Sequence, residues 1–158
     1  MRVFSRGWRD PVLWSHYGEK HRGICLGYDL QDSLADPVKY RHDRVKPRLT
    51  KDGQLVRDEA LTMDMLYTKY ERWQYEEEIR VYVELDPKTV GAQGHYFYEY
   101  SEQLSLREVI LGPLCDTPIS EFHELVKSSI PKVNLKRTRL AFSKYSVVER
   151  DPRMDIDD

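Results

Sequence analysis

The run Trp73-Gln74-Tyr75-Glu76-Glu77-Glu78-Ile79-Arg80 passes straight into apolar residues at every second position: Ile79, Val81, Val83 and Leu85. Such alternation marks a half-buried β-strand, because successive side chains point to opposite faces. It predicts Glu76, Glu78, Arg80 and Tyr82 in one row on the other face. Three ionisable groups in one row are costly to bury unless they pair or do chemistry. Whatever fold the chain adopts must satisfy them, so a site at this row is expected.

A second aromatic and ionisable cluster lies earlier, Trp14-Ser15-His16-Tyr17 running on to His21-Arg22-Gly23. Around the two clusters the pattern predicts an α+β fold, a mostly antiparallel sheet with about three helices. Val3-Phe4 begins a short strand, and Pro11 suits the first turn of a helix reaching Tyr17 and ended by Gly18. Ile24, Leu26, Tyr28 and Leu30 alternate as the apolar face of a strand, with Cys25, Gly27 and Asp29 opposite. Asp32 to Pro37 reads as a loop, Val38 to Tyr40 as extended, and Lys51-Asp52-Gly53 as a turn. Asp58 is the expected N-cap of a helix from Glu59 to about Trp73, burying Leu61, Met65, Leu66, Tyr70 and Trp73. Gly91 to Gly94 is a loop before a tyrosine-bearing strand, Tyr96 to Tyr100. Leu106 to Leu111 is a further strand, and Thr117 with Pro118 signals the start of a helix carrying Ile119, Phe122 and Val126. Leu135 to Phe142 and Tyr145 to Val148 read as a closing hairpin turning at Ser143-Lys144.

The 158 residues, 40% hydrophobic and 33% charged, suit one domain over residues 1–150, followed by an acidic, flexible tail over 151–158. A chain of this length buries roughly two-thirds of its unfolded surface and needs no staples. No apolar run reaches the ~20 residues that cross a bilayer. The start Met1-Arg2-Val3-Phe4-Ser5-Arg6 is too polar for a signal peptide, and two cysteines make neither a disulfide framework nor a zinc site. A cytoplasmic location without membrane contact is the expectation. Net charge −2 argues against a protein that coats nucleic acid. Yet Lys39, Arg41, Arg44, Lys46, Arg48, Lys51 and Arg57 face only Asp43 and Asp52 in the stretch they share. Lys132, Lys136, Arg137 and Arg139 form a second basic group. A solvated surface is the ordinary reading of both, and a phosphate-binding face is the alternative.

Adjacent on a helix, His16 and Tyr17 point about 100° apart and share a pocket only near a helix end. His16 and His21 are wrongly spaced for one helix face, so metal binding is not expected. Ser15 lacks a nucleophile elbow, and the chain has no glycine-rich phosphate loop. Glu78 and Arg80 lie about 7 Å apart on one strand face. A carboxylate there could accept a proton or stabilise positive charge, and the arginine could clamp a phosphate or carboxylate. The competing reading is a salt-bridge ladder of Glu76, Glu78 and Arg80 with partners such as Arg137 or Arg139.

The segments Leu13 to Tyr17, Gly23 to Asp29, Lys69 through Arg80 and Val109 to Gly112 resemble a bacterial family known as domain of unknown function 2971. The resemblance covers most of the chain from Phe4 onward and implies kinship, not an activity. Family members carry a further N-terminal region, so the chain reads as a short member or a fragment. More distantly, the order His16, Tyr17, Glu78 is similar to that of ADP-ribosyltransferases, which set a His or Arg, a Tyr or Ser, and a Glu on separate strands around NAD, although His16 and Tyr17 are neighbours here. The analogy is one of fold and order alone.

The expected site joins the Trp-Ser-His-Tyr helix to the Glu/Arg strand. Glu78, Glu76, His16 and Tyr17 are its catalytic candidates, and Arg80, Trp73, Trp14 and Lys69 its substrate-binding ones. An anionic, nucleotide-like substrate, with NAD as the candidate cofactor, fits such a site, and a toxin or phage-defence role fits such a family. Two other readings stand beside it. One is a non-catalytic module binding nucleic acid or an acidic partner through residues 39–57 and 132–139. The other is a scaffold pairing through the strand Tyr96 to Tyr100.

Overall fold

The chain opens with β1 (Arg2–Ser5), and Asp10 then caps α1 (Pro11–Tyr17) by accepting the Val12 amide at 2.7 Å. Pro11 sits in the first turn, where its missing N–H is harmless. At Gly18, which ends α1, a Cβ would come within 2.6 Å of the Trp14 ring. There follow β2 (Ile24–Leu30), a 3₁₀ turn (Asp32–Leu34), β3 (Asp36–Pro37) and β4 (Lys39–Arg41). Asp58 caps α2 (Glu59–Leu66) through the Leu61 amide at 2.5 Å. Next come β5 (Thr68–Tyr70), a 3₁₀ helix (Glu71–Glu76), β6 (Glu78–Val81), β7 (Leu104–Leu111), α3 (Ile119–Ser129), β8 (Asn134–Leu140) and β9 (Val147–Glu149).

This computed structural model describes residues 1–56, 58–82, 94–96, 100–130 and 132–151. Arg57, the expected strand continuation at Val83 and Leu85, most of the Gly91–Gly94 loop, the centre of the tyrosine strand and the acidic tail beyond Asp151 lie outside those residues. The fold is α+β with mostly antiparallel pairing, as the pattern predicts. No described helix is long and apolar enough to cross a membrane.

The chain divides into two compact units. The first comprises Met1–Arg6 and Asp32–Tyr96. In it β6 is central, antiparallel to β1 on one side and β3 on the other, while β4 and β5 form a parallel pair. The second comprises Gly7–Gln31 and Phe97–Asp158. Its sheet runs β2-β7-β8-β9, with α3 crossing between the parallel strands β7 and β8. Trp14, Ile110 and Val147 form its core cluster, and the buried Thr138 hydroxyl donates to the Leu111 carbonyl at 2.6 Å.

Three expectations need correction. The helix expected to reach Trp73 stops at Leu66. Thr68 Oγ1 donates back to the Asp64 carbonyl at 2.6 Å, and Thr68-Lys69-Tyr70 pairs with β4 instead. β-Branched and aromatic residues favour that extended state. Of the predicted stripe only Leu61 is buried, while Met65 and Tyr70 are about half exposed. In the first half of β2 the faces are reversed: Cys25 packs against the Trp14 cluster, and Ile24 and Leu26 lie exposed, whereas in the second half Tyr28 and Leu30 are half-buried and Asp29 exposed, as the alternation predicts. A bulge between Gly27 and Tyr28 shifts the register against β7, where Gly27 admits the Glu108 side chain. Finally, Thr117 does not cap α3; Pro118 holds that position, and no side chain bonds the first turn.

Candidate functional site

The first unit is built around charge. Glu76 and Glu78 are 3% and 2% exposed, among the most buried residues of the chain. They do not share one strand row as predicted. Glu76 closes the 3₁₀ helix, Glu77 turns the chain with a left-handed φ of 44°, and only Glu78 and Arg80 belong to β6. The turn converges both carboxylates on Lys69, which β5 presents through its pairing with β4. Lys69 Nζ donates to Glu76 Oε2 and, at 2.8 Å, to Glu78 Oε2. Arg80 Nε donates to Glu78 Oε1 at 2.5 Å, and its Nη1 donates to the Leu66 carbonyl at the end of α2. The Glu78 amide donates to the Tyr40 hydroxyl at 2.8 Å. Lys69 also stands 5.2 Å above the Trp73 ring.

The ladder partners are therefore Lys69 and Arg80, not Arg137 or Arg139. Those two arginines belong to the second unit and donate to carbonyls: Arg137 to Cys115 at 2.8 Å, Arg139 to Leu140 at 3.1 Å. Burial alone would raise the Glu78 pKa, but hydrogen bonds and charge from Arg80 and Lys69 outweigh it and hold the carboxyl below its ordinary value. For Lys69 burial lowers the pKa, and the two carboxylates more than reverse that. Two anions and two cations thus neutralise one another, as a buried set must. A carboxylate kept ionised can stabilise positive charge. It cannot donate a proton near neutral pH.

Beside this network the first unit opens a cleft of about 1220 Å³ between the β3–β4 segment, the basic chain that follows it, and α2. Lys39, Arg41, Arg44, Lys46 and Arg48 line it, with Asp36, Asp43 and Asp64. Arg41 forks onto Asp64 at 3.1 and 3.0 Å, Lys39 reaches the same carboxylate at 3.4 Å, and Arg48 pairs with Asp58 at 2.8 Å. Arg44 and Lys46 are exposed and form no ion pair among the described residues. The wall is tied to the network. Val38 donates its amide to the Glu78 carbonyl at 2.9 Å, and Lys39 to that of Tyr67 at 2.7 Å. Tyr67 itself lines the cleft; burial, then its bonded Asp36 neighbour, pushes its phenol pKa up.

The other expected site residues lie in the second unit. Trp14 is 4% exposed, its indole Nε1 donating to the Trp8 carbonyl at 2.5 Å, so its ring serves the core. His16 and Tyr17 stand exposed at the end of α1 with ring centroids 6.2 Å apart. One feature there escaped sequence reasoning: Glu19, Lys20 and His21 all have left-handed φ values, 49°, 53° and 74°. Such a run of non-glycine residues stores strain, and His21 Nδ1 is buried without a hydrogen-bond partner among the described residues. Tyr40 was likewise missed, since nothing local connects its hydroxyl to an amide 38 residues away. Among the described residues no group of three or more His, Cys, Asp or Glu side chains is placed to hold a metal.

A family model described as protein of unknown function (DUF2971) matches residues 13–81. That span holds every member of the buried network and every residue lining the cleft. No curated protein and no solved structure matches the chain.

Proposed function

We propose that the first unit, in the part of the chain that the DUF2971 family model matches, binds a phosphate-bearing polyanion, a nucleic acid strand, in the basic cleft. The observation that carries this is the pair Arg44 and Lys46, exposed on the cleft and without carboxylate partners among the described residues. Lys39, Arg41 and Arg48 add to them, because exposed ion pairs are worth only about 0–1 kcal/mol and a phosphate competes readily for either member. The cleft is also broader than the roughly 300–1,000 Å³ apolar pockets that enclose small molecules. Its charges follow one another along one segment of chain, residues 39–48, which suits a linear polyanion. The buried network beneath keeps that wall rigid.

Fluorescence anisotropy with labelled oligonucleotides across a salt series tests the reading. Affinity should fall linearly on a log–log plot against salt. The Arg44→Glu/Lys46→Glu variant should bind at least about tenfold more weakly, with a salt slope shallower by about two. Equal binding by that variant removes the proposal.

A second reading, an enzyme acting on a nucleotide-like substrate, rests on Glu78, a carboxylate held ionised beside two cations. Glu78 would then stabilise positive charge developing on the substrate, with NAD the first cofactor to try. Undiminished turnover in folded Glu78→Gln protein would exclude it.

A further inference from the structure

The hairpin joining β8 to β9 carries two aromatic side chains that stand largely open to solvent. Phe142 is 86% and Tyr145 102% exposed. One exposed aromatic is ordinary; two on one short turn, set among cations, form a surface. The Arg139 guanidinium lies 4.3 Å over the Phe142 ring, and Lys144 stands between the two aromatics in the chain. At the base of the hairpin the Arg9 carbonyl accepts the Val147 amide at 2.8 Å and the Ser146 hydroxyl at 3.3 Å. That contact brings in a second cation on an aromatic face, Arg9 at 4.5 Å over Trp8.

None of Arg9, Arg139 and Lys144 has an ion pair among the described residues, and no carboxylate occurs between Arg139 and Val148. The surface therefore sets cations without ion pairs beside two solvent-exposed rings, one face of Phe142 being taken by Arg139.

We infer that this hairpin tip binds single-stranded nucleic acid, stacking bases on Phe142 and Tyr145 while Arg9, Arg139 and Lys144 meet the phosphates. Base-on-aromatic stacking beside a basic track is how single strands are held without sequence preference. A duplex keeps its base faces stacked inside and offers these rings nothing. A lipid surface would want aliphatic depth, and the tip has one half-exposed aliphatic neighbour, Leu140. The inference stands on the second unit and does not depend on the cleft.

Two variants separate the sites: Phe142→Ala/Tyr145→Ala at the tip and Arg44→Glu/Lys46→Glu in the cleft. Both aromatics are solvent-exposed, so the tip variant should keep the parent melting curve. Against a labelled single strand it should lose at least about fivefold in affinity, with duplex binding unchanged. A strand carrying a photoreactive 5-iodouracil should crosslink at Phe142 or Tyr145. Single-strand affinity equal to the parent's, crosslinks confined to residues outside the tip, or no single-strand binding by the parent overturns the inference. So does a tip variant that loses only its binding to phosphatidylserine vesicles, which would assign the tip to a membrane. Loss of binding in the cleft variant alone would leave the cleft reading intact and remove this one.

Discussion

Glu78 shows how one residue's surroundings decide its chemistry. At 2% exposure its charge survives only because Lys69 and Arg80 each donate to it and Tyr40 secures its backbone. Removing one member of a buried ionic set strands the others, typically at a cost of about 3–5 kcal/mol. Glu78→Gln keeps the shape but not the charge, so urea denaturation should show a loss near the lower end of that range. A change under about 1 kcal/mol would mean that the network does not hold the unit together. The alternation of the sequence places Glu78 and Arg80 on one strand, as β6 does. It does not reveal Lys69 as the common partner of Glu76 and Glu78, because the turn at Glu77 that brings Glu76 round is a left-handed residue no alternation rule anticipates.

Among the elements, α2 carries the clearest lesson. Its start was legible: Asp58 caps it, and the carboxylate accepts the Leu61 amide. Asp58→Ala should cost about 1 kcal/mol, within the usual 0.5–2 for a cap, and the same side chain's exposed pair with Arg48 should add little. A thermal melt unchanged by that substitution would contradict the capping role. Its end was not legible. Thr68-Lys69-Tyr70 is compatible with either state, and β4 was the deciding partner. On β2 the predicted faces hold beyond the bulge, at Tyr28 and Leu30, and are inverted before it, at Ile24 and Leu26, since period two marks two faces without saying which one the core takes.

At the scale of the whole molecule the two units are stabilised differently. The second has an apolar core centred on Trp14, Ile110 and Val147, while the first buries Glu76 and Glu78 beside Val38, Leu61, Tyr67 and Val81. Their pH responses should differ accordingly. Glu78 is depressed in the fold, so its stabilisation is present above its ordinary value of 4.5 and is lost as pH falls through the lower folded value. Lys69 is raised, so its share is present below 10.5 and is lost as pH climbs through the higher folded value. Hydrogen exchange, corrected for intrinsic rates, should show amides of β4, β5 and β6 losing protection in acid before those of β7 and β8. Simultaneous loss in both units would argue against a charged core as the distinguishing feature.

Local chemistry wrote the starts of α1 and α2, the α+β class, the basic stretch along the cleft and the shared strand of Glu78 and Arg80, because caps, alternation and charge density act over a few residues. Contacts distant in sequence decided the rest: where α2 stops, which face of β2 is buried, which cation meets which carboxylate, and that Phe142 and Tyr145 stay uncovered. Each of those outcomes is a choice between partners of nearly equal local merit. Only packing breaks such ties, because burial and hydrogen bonding reward the arrangement that satisfies the most groups at once.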